Sequence, residues 1–305
     1  MSWLQLHIDT SAASASDIET ALLQLGAVSV TLQDNADQPL LEPGVGETPL
    51  WDAIQLTALF DGDSDSQKII DRLLKLLGGT PPNYRFEKLD DQDWERSWLN
   101  DFEPLRFGER LWICPSWYEP PEPDAINIAL DPGLAFGTGT HQTTALCLEW
   151  LEQASLKDKI IIDYGCGSGI LAIAALLLGA KQAICVDNDP QALAATLSNA
   201  AQNAISDTDL IVCKPEKLSA ILAEQGIAAD GFDLVIANIL AGPLISLVDN
   251  LTGLINSDGE IILSGILDHQ ASSVAEAYEP HIDFDPFANR DEWMRLSGKK
   301  SSPTS

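Results

Sequence analysis

Basic residues are scarce in this chain. It carries 17 Lys+Arg against 46 Asp+Glu over 305 residues, a formal net charge of −29. A nucleic-acid backbone is bound by Lys and Arg that displace counterions, so the deficit argues against nucleic acid as the main partner. An anionic membrane surface is disfavoured on the same ground, and a basic partner becomes attractive. The deficit is uniform: residues 1–100 hold 6 basic and 17 acidic residues, and residues 101–305 hold 11 and 29. Uniform acidity fits solubility or adaptation to a salty cytoplasm as well as it fits electrostatic selection of a basic substrate.

Cysteine is also sparse. Cys114, Cys147, Cys166, Cys185 and Cys213 are odd in number and contain no CxxC pair. Neither a disulfide framework nor a zinc site is expected, and a reducing cytoplasm is the expected compartment. His7, His141, His269 and His281 lie far apart with no HxxxH spacing, so no metal is expected. The N-terminus has no basic segment leading into an apolar one, so no signal peptide is expected. The longest apolar stretch, Ile170 to Leu178, falls far short of the roughly 18–20 residues of a membrane span. What is abundant is apolar residue content, 45%. That separates the chain from disordered acidic polymers and supplies cores for about two domains.

The first ninety residues read as β-α-β-β-α-β. Leu4, Leu6 and Ile8 alternate with polar residues as a strand. Ser16 and Glu19 read as a capping box for a helix ending at Gly26. Strands are expected over Val28 to Gln33, Ile54 to Phe60 and Tyr84 to Leu89, with a helix over Ser64 to Leu77 and a loop over 34–50. This order is the ferredoxin-like α+β arrangement. Residues 91–103, with Trp94, Trp98 and Leu99 on one side, read as an amphipathic linker helix. From residue 141 onward helices alternate with apolar strands, including a single helix over Pro243 to Leu254 and a last strand over Trp293 to Leu296. Residues 299–305 read as a frayed tail. Repeated β-α units of this kind predict a doubly wound, Rossmann-like α/β sheet that binds ligands beyond its strand C-termini.

The chemistry-bearing residues stand at those strand ends. Ile160-Ile-Ile-Asp163-Tyr-Gly165-Cys-Gly167-Ser-Gly169 places a glycine turn after the first strand, where a ligand approaches the backbone closely. A nicotinamide-type GxGxxG would need glycine at 165, 167 and 170, but position 170 is Ile. Asp163 suits a positively charged ligand. S-adenosylmethionine, with an ammonium, a sulfonium and no pyrophosphate, matches it. Asp187, at the end of the next strand, suits the two hydroxyls of a ribose, a feature that dehydrogenases share. Asp189 before Pro190 suits a helix cap. Asn238 ends the fourth strand, where the transferred group is expected. Its side chain can accept N–H from an amine, contact the cofactor, or cap a helix. Asp131 to Thr144 carries Phe136, Thr138 and further threonines between glycines. It suits either a surface loop or a lid over the methionine end of a cofactor. His141 reads as a helix-start residue rather than a catalyst. No residue is singled out as the base that deprotonates an amine.

The segments DPGLAFGTGTHQTT (131–144), DYGCGSG (163–169), VDNDP (186–190), ANILAGPL (237–244) and Ser264-Gly265-Ile266-Leu267 resemble the PrmA family of bacterial methyltransferases. That family modifies large-subunit ribosomal protein eleven. The resemblance extends over nearly the whole chain, including Asp93 to Trp98 and Phe107 to Trp117; stretches near 206–232 are somewhat long for it. It implies a ferredoxin-like recognition domain (1–90), a linker helix (91–103) and a seven-stranded class I methyltransferase domain (104–298). It implies trimethylation of lysine side chains and of an N-terminal α-amine, with S-adenosylmethionine as cofactor and a free, basic ribosomal protein as partner. Motif matching carries cofactor contacts to Thr144, Gly165, Asp187 and Asn238. The residues themselves add Phe136, Thr138, Asp163 and Gly167 to the cofactor set and make Asn238 the catalytic candidate. Ile239-Leu240 after Asn238 departs from the Asn-Pro-Pro-Tyr of glutamine- and nucleobase-directed enzymes. The competing expectations are a methyltransferase for RNA or a small molecule, a non-catalytic nucleoside-binding module, and a nicotinamide oxidoreductase.

Overall fold

The computed structural model describes residues 2–36, 50–79, 83–89, 102–131, 139 and 141–301. The chain divides into two compact units, Met1–Asp101 and Phe102–Ser305.

In the first unit, strands β1 (Trp3–Ser11), β2 (Ser29–Asp34), β3 (Ala53–Asp61) and β4 (Tyr84–Leu89) form an antiparallel sheet of order β2-β3-β1-β4. Helices α1 (Ala12–Gln24) and α2 (Ser66–Leu77) cover one face. Alternation explains which face. Leu4, Leu6 and Ile8 of β1 and Ile54, Leu56, Ala58 and Phe60 of β3 point to it and bury against Ile18 and Leu22 of α1 and Ile69, Ile70 and Leu73 of α2. Asp65 caps α2 by accepting from the Gln67 and Lys68 N–H groups, and Gly78 ends it in the left-handed region. The capping box expected at Ser16 and Glu19 is corrected. Strand β1 pairs with β3 as far as Ser11–Ala53, so α1 starts at Ala12 with Ser11 at its cap, and Ser16 lies inside the helix. Most of the expected loop (37–49 of 34–50) and most of the expected linker helix (91–101 of 91–103) lie outside the described residues.

The second unit opens with a small sheet of β5 (Leu105–Phe107), β6 (Leu111–Cys114) and β7 (Ile126–Ala129). Its main sheet contains β8 (Ile160–Tyr164), β9 (Gln182–Val186), β10 (Leu210–Cys213), β11 (Phe232–Asn238), β12 (Ile255–Leu267), β13 (Ile282–Phe284), β14 (Ala288–Arg290) and β15 (Trp293–Lys300). The path is β10-β9-β8-β11-β12-β15-β13, with β14 paired to β15 beside it. The run from β10 to β12 is parallel, and β15 returns antiparallel to β12 and β13, so the sheet is mixed. Helices lie on both faces. Packed on one are α3 (Gln142–Gln153), α4 (Ile170–Leu177) and α5 (Pro190–Gln202). Packed on the other are α6 (Leu218–Gln225), α7 (Ala241–Ser246), α8 (Val248–Leu254) and α9 (Ala271–Tyr278). Strands buried on both faces read as continuous apolar runs, which is why Ile160-Ile-Ile and Leu234-Val-Ile-Ala are strands.

Two expectations are corrected here. The helix expected over Pro243 to Leu254 is broken at Leu247, which leaves the helical region (φ −102°, ψ 9°), and the helical stretch begins earlier, at Ala241. The frayed tail expected over 299–305 is corrected at its start, because β15 runs through Lys300; residues 302–305 lie outside the described residues. Lys299 sits between Glu260 of β12 and Asp283 of β13, so an apparent tail charge has acids on both neighbouring strands. All five cysteines are free and buried. Burial pushes the Cys147 thiol up to about 12 and the Cys213 thiol up to about 11, so these side chains act as core residues rather than nucleophiles. No helix among the described residues is long and apolar enough to cross a membrane.

Candidate active site

Strands β9, β8 and β11 end side by side, and their last residues and following turns, together with Gly265 of the neighbouring β12, line a cavity of about 520 Å³. Its wall includes Gly165, Gly167, Asp187 and Asn238. A smaller hollow shares Gly165, Gly167 and Asn238 with it and adds Thr144 and Asp163. Six sequence-derived site residues therefore converge from α3, β8, the glycine turn, the end of β9 and β11. Phe136 and Thr138 lie outside the described residues.

The glycine turn follows from its backbone angles. Gly165 has φ +82°, and its N–H donates to the Val186 carbonyl at 2.7 Å, which ties the turn to β9. A Cβ at this position would stand 2.3 Å from Ile239 Cγ2. Gly265, in the bulge of β12, closes the other side: its φ is +82°, and a Cβ there would stand 2.4 Å from the Ile239 carbonyl oxygen. Ile239 is thus wedged between two turns that only glycine makes without strain.

Asp187 is fixed by the backbone. One carboxylate oxygen accepts from the Gly167 N–H at 3.0 Å and the other from the Asp189 N–H at 2.9 Å. Each oxygen keeps a further lone pair for a ligand in the cavity. Asp189 caps α5 by accepting from the Gln191 N–H, with Pro190 following it.

Asp163 is the most unusual group in the site. It is 1% exposed, and neither carboxylate oxygen makes a well-formed hydrogen bond. Burial pushes its pKa up to about 7; the nearby Asp187 charge reinforces this, and the Ala172 N–H opposes it. A buried carboxylate with no well-formed hydrogen bond is costly, and an incoming cation relieves the cost.

Asn238 is oriented by a neighbour. Its Nδ2 donates to the buried Thr144 Oγ1 at 3.4 Å, which leaves Oδ1 buried and without a partner. Asn238 does not cap the following helix, since that position falls to Leu240. His141 caps α3: its ring accepts from the Thr143 N–H and lies 2.8 Å from Thr143 Oγ1. Burial lowers its pKa.

Trp293, Leu247 and Tyr164, beyond the sequence-derived site residues, also line the cavity. Trp293 begins its strand, whereas ligand contacts are expected where parallel strands end. β15 is antiparallel to β12, so its first residue, not its last, reaches the edge where the parallel strands end. Its ring meets His141 edge to face at 4.9 Å.

A family model described as Ribosomal protein L11 methyltransferase (PrmA) matches residues 2–301. The chain is similar to a ribosomal protein L11 methyltransferase of Pseudomonas paraeruginosa, with 52% identity over 300 residues covering 98% of this chain and 99% of the relative. A relative of the same name from Cellvibrio japonicus is 52% identical over 301 residues, covering 99% of each chain. Among solved structures, a ribosomal protein L11 methylase from Lactobacillus delbrueckii subsp. bulgaricus aligns with a TM-score of 0.57 and 36% identity, covering 66% of this chain and 100% of that one. With matches running through both units and a cavity at the strand ends of a mixed α/β sheet, the chain belongs to the ribosomal protein L11 methyltransferase family.

Proposed function

We propose that this protein transfers methyl groups from S-adenosylmethionine to amino groups of ribosomal protein L11. The observation that carries this reading is the pair of buried acceptors without a well-formed hydrogen bond, the Asp163 carboxylate and Asn238 Oδ1, at the strand ends that line the cavity. The site fits the methyl donor: Asp163 would hold its ammonium and Asp187 its ribose hydroxyls, with Gly165 and Gly167 allowing close approach. Bound there, S-adenosylmethionine supplies an electrophilic methyl group that moves to a neutral amine, leaving the bonding pair on sulfur. A lysine is protonated near neutrality, so it must shed a proton before attack. Asn238 Oδ1 accepts an N–H of the neutral amine and turns its lone pair inward, so the chain's contribution is chiefly positioning.

The acceptors are lysine side chains and the N-terminal α-amine, each carried to the trimethyl state. The substrate is the free, basic ribosomal protein in the cytoplasm before assembly. The −29 charge attracts that protein and disfavours the RNA of an assembled ribosome. The order β2-β3-β1-β4 with two helices on one face supports a ferredoxin-like first domain, residues 1–90, as the recognition element. Residues 91–103 join it to the catalytic domain. The same charge counts against the second reading, an RNA methyltransferase.

Incubation with labelled S-adenosylmethionine, purified L11 and ribosomal RNA is expected to label the protein and not the RNA. No transfer to L11 by an enzyme that binds the donor overturns the reading. Asp187→Ala is expected to weaken donor binding about 10–100-fold, through loss of charge-assisted hydrogen bonds of about 1.5–3 kcal/mol. Calorimetry checks it, and unchanged affinity contradicts the ribose role.

A further inference from the structure

We infer that Trp293 is the aromatic platform for the acceptor side chain and that it sustains binding as the nitrogen gains methyl groups. The inference rests on the proposed amine methylation and goes beyond it by naming the residue that tolerates every methylation state.

Position comes first. Asp187 stands at the end of β9 and Trp293 at the start of β15, four strand spacings apart, or about 19 Å at about 4.8 Å each. A donor held by Asp187 and Asp163 is anchored on β9 and β8. The β15 end of the same cavity is left for the acceptor. Asn238, on β11, lies between the two, about 10 Å or two spacings from the Trp293 strand.

Chemistry comes second. On the β11 to β15 side the cavity wall includes the apolar residues Ile239, Leu240, Leu247 and Trp293. Of the polar residues in that wall, Thr143 and His141 are bonded to each other. A site built to demand an unmethylated amine needs an acceptor for each N–H, because unpaired polar groups are what reject the wrong ligand. Each methyl group removes one N–H from the substrate, and the fully methylated nitrogen offers none to Asn238. An indole face attracts an alkylammonium whatever its N–H count, and attracts it more as alkylation lowers the cost of removing its water.

Availability comes third. Among the described residues no cation sits over the Trp293 ring; the cation–π contact found is Arg106 over Trp112. Arg290, opposite Trp293 on β14, is paired to Glu149 at 2.8 Å. The edge-to-face contact with His141 steadies the indole.

The test titrates the full-length protein with four short peptides that differ only in one lysine: unmodified, monomethyl, dimethyl and trimethyl. Wild type is expected to bind the trimethyl peptide about 3–10-fold more tightly than the unmodified one. Trp293→Leu should erase that preference and Trp293→Phe should keep part of it, with donor affinity within about threefold of wild type in both. Time-resolved intact mass spectrometry of L11 should then show mono- and dimethyl species accumulating with Trp293→Leu. A Leu variant that keeps the wild-type order of peptide affinities overturns the inference, as does a wild type that binds all four peptides equally. A wild type that shows the expected peptide order but methylates no L11 upholds the role of Trp293 and overturns the substrate assignment.

Discussion

Asn238→Ala is expected to slow methyl transfer by about 10²–10³-fold while leaving donor affinity within a few-fold of wild type. Asn238 Oδ1 is a buried acceptor with no partner, and Thr144 Oγ1 takes the Nδ2 donor. The hydrogen bond to Thr144 therefore decides which end of the amide meets the substrate. Removing one preorganised group from such a site costs about 3–4 kcal/mol of transition-state stabilisation, which is the stated range of rates. A merely structural residue behaves differently. Truncating it would lower stability, whereas loss of an unsatisfied buried oxygen removes a desolvation cost from the free protein. Single-turnover kinetics, donor titration and thermal unfolding on the same variant separate the cases. Near wild-type turnover, or lost activity explained by a fallen Tm, contradicts the assignment.

Asp163→Asn is expected to act in opposite directions on stability and binding. In the free protein the Asp163 pKa is raised to about 7 by burial. A carboxyl raised in the folded state contributes stability that is full below its unfolded pKa and is lost as pH rises through the folded one. The wild type therefore loses stability from this group between about pH 4 and pH 7, by up to about 4 kcal/mol above that window. Asparagine does not ionise. The Tm gap between variant and wild type should be small near pH 4, widen towards pH 7 and favour the variant at pH 8. Other carboxylates are common to both proteins and cancel in the difference. Donor binding should move the other way. The charged Asp163 is the form that holds an ammonium, so wild-type Kd should rise about tenfold for each pH unit below about 7. Asp163→Asn should bind at least about 100-fold more weakly at pH 7.5, with the pH dependence gone. Calorimetry from pH 5.5 to 7.5 checks both, and a flat wild-type curve contradicts the ammonium role.

Which parts of this site were legible in the sequence follows from strand direction. Asp163, Gly165, Gly167, Asp187 and Asn238 stand at or just beyond the C-terminal ends of parallel strands, where a β-α repeat announces ligand contacts. Trp293 reaches the same edge on the antiparallel strand, so that rule pointed to the wrong end of β15. Thr144 was found through its motif; its service to Asn238 is a long-range contact across 94 residues that no local pattern encodes. The buried state of Asp163 was likewise invisible, because an acid after an apolar run reads the same at a surface and in a core. In the first unit the strand-helix alternation was readable, but the start of α1 was not. Where β1 ends depends on pairing with β3, about forty residues away, and that pairing overrode a local capping signal.

The wedging of Ile239 between Gly165 and Gly265 has a consequence for redesign. Enlarging the acceptor pocket by inserting residues or bulk just after Asn238 would dislodge two turns at once, one of which carries the donor site. Attempts to broaden substrate range from that side should yield insoluble or donor-blind proteins far more often than altered specificity. The β15 side carries no such double constraint, so libraries at Trp293 and its neighbours are where new acceptors should be sought.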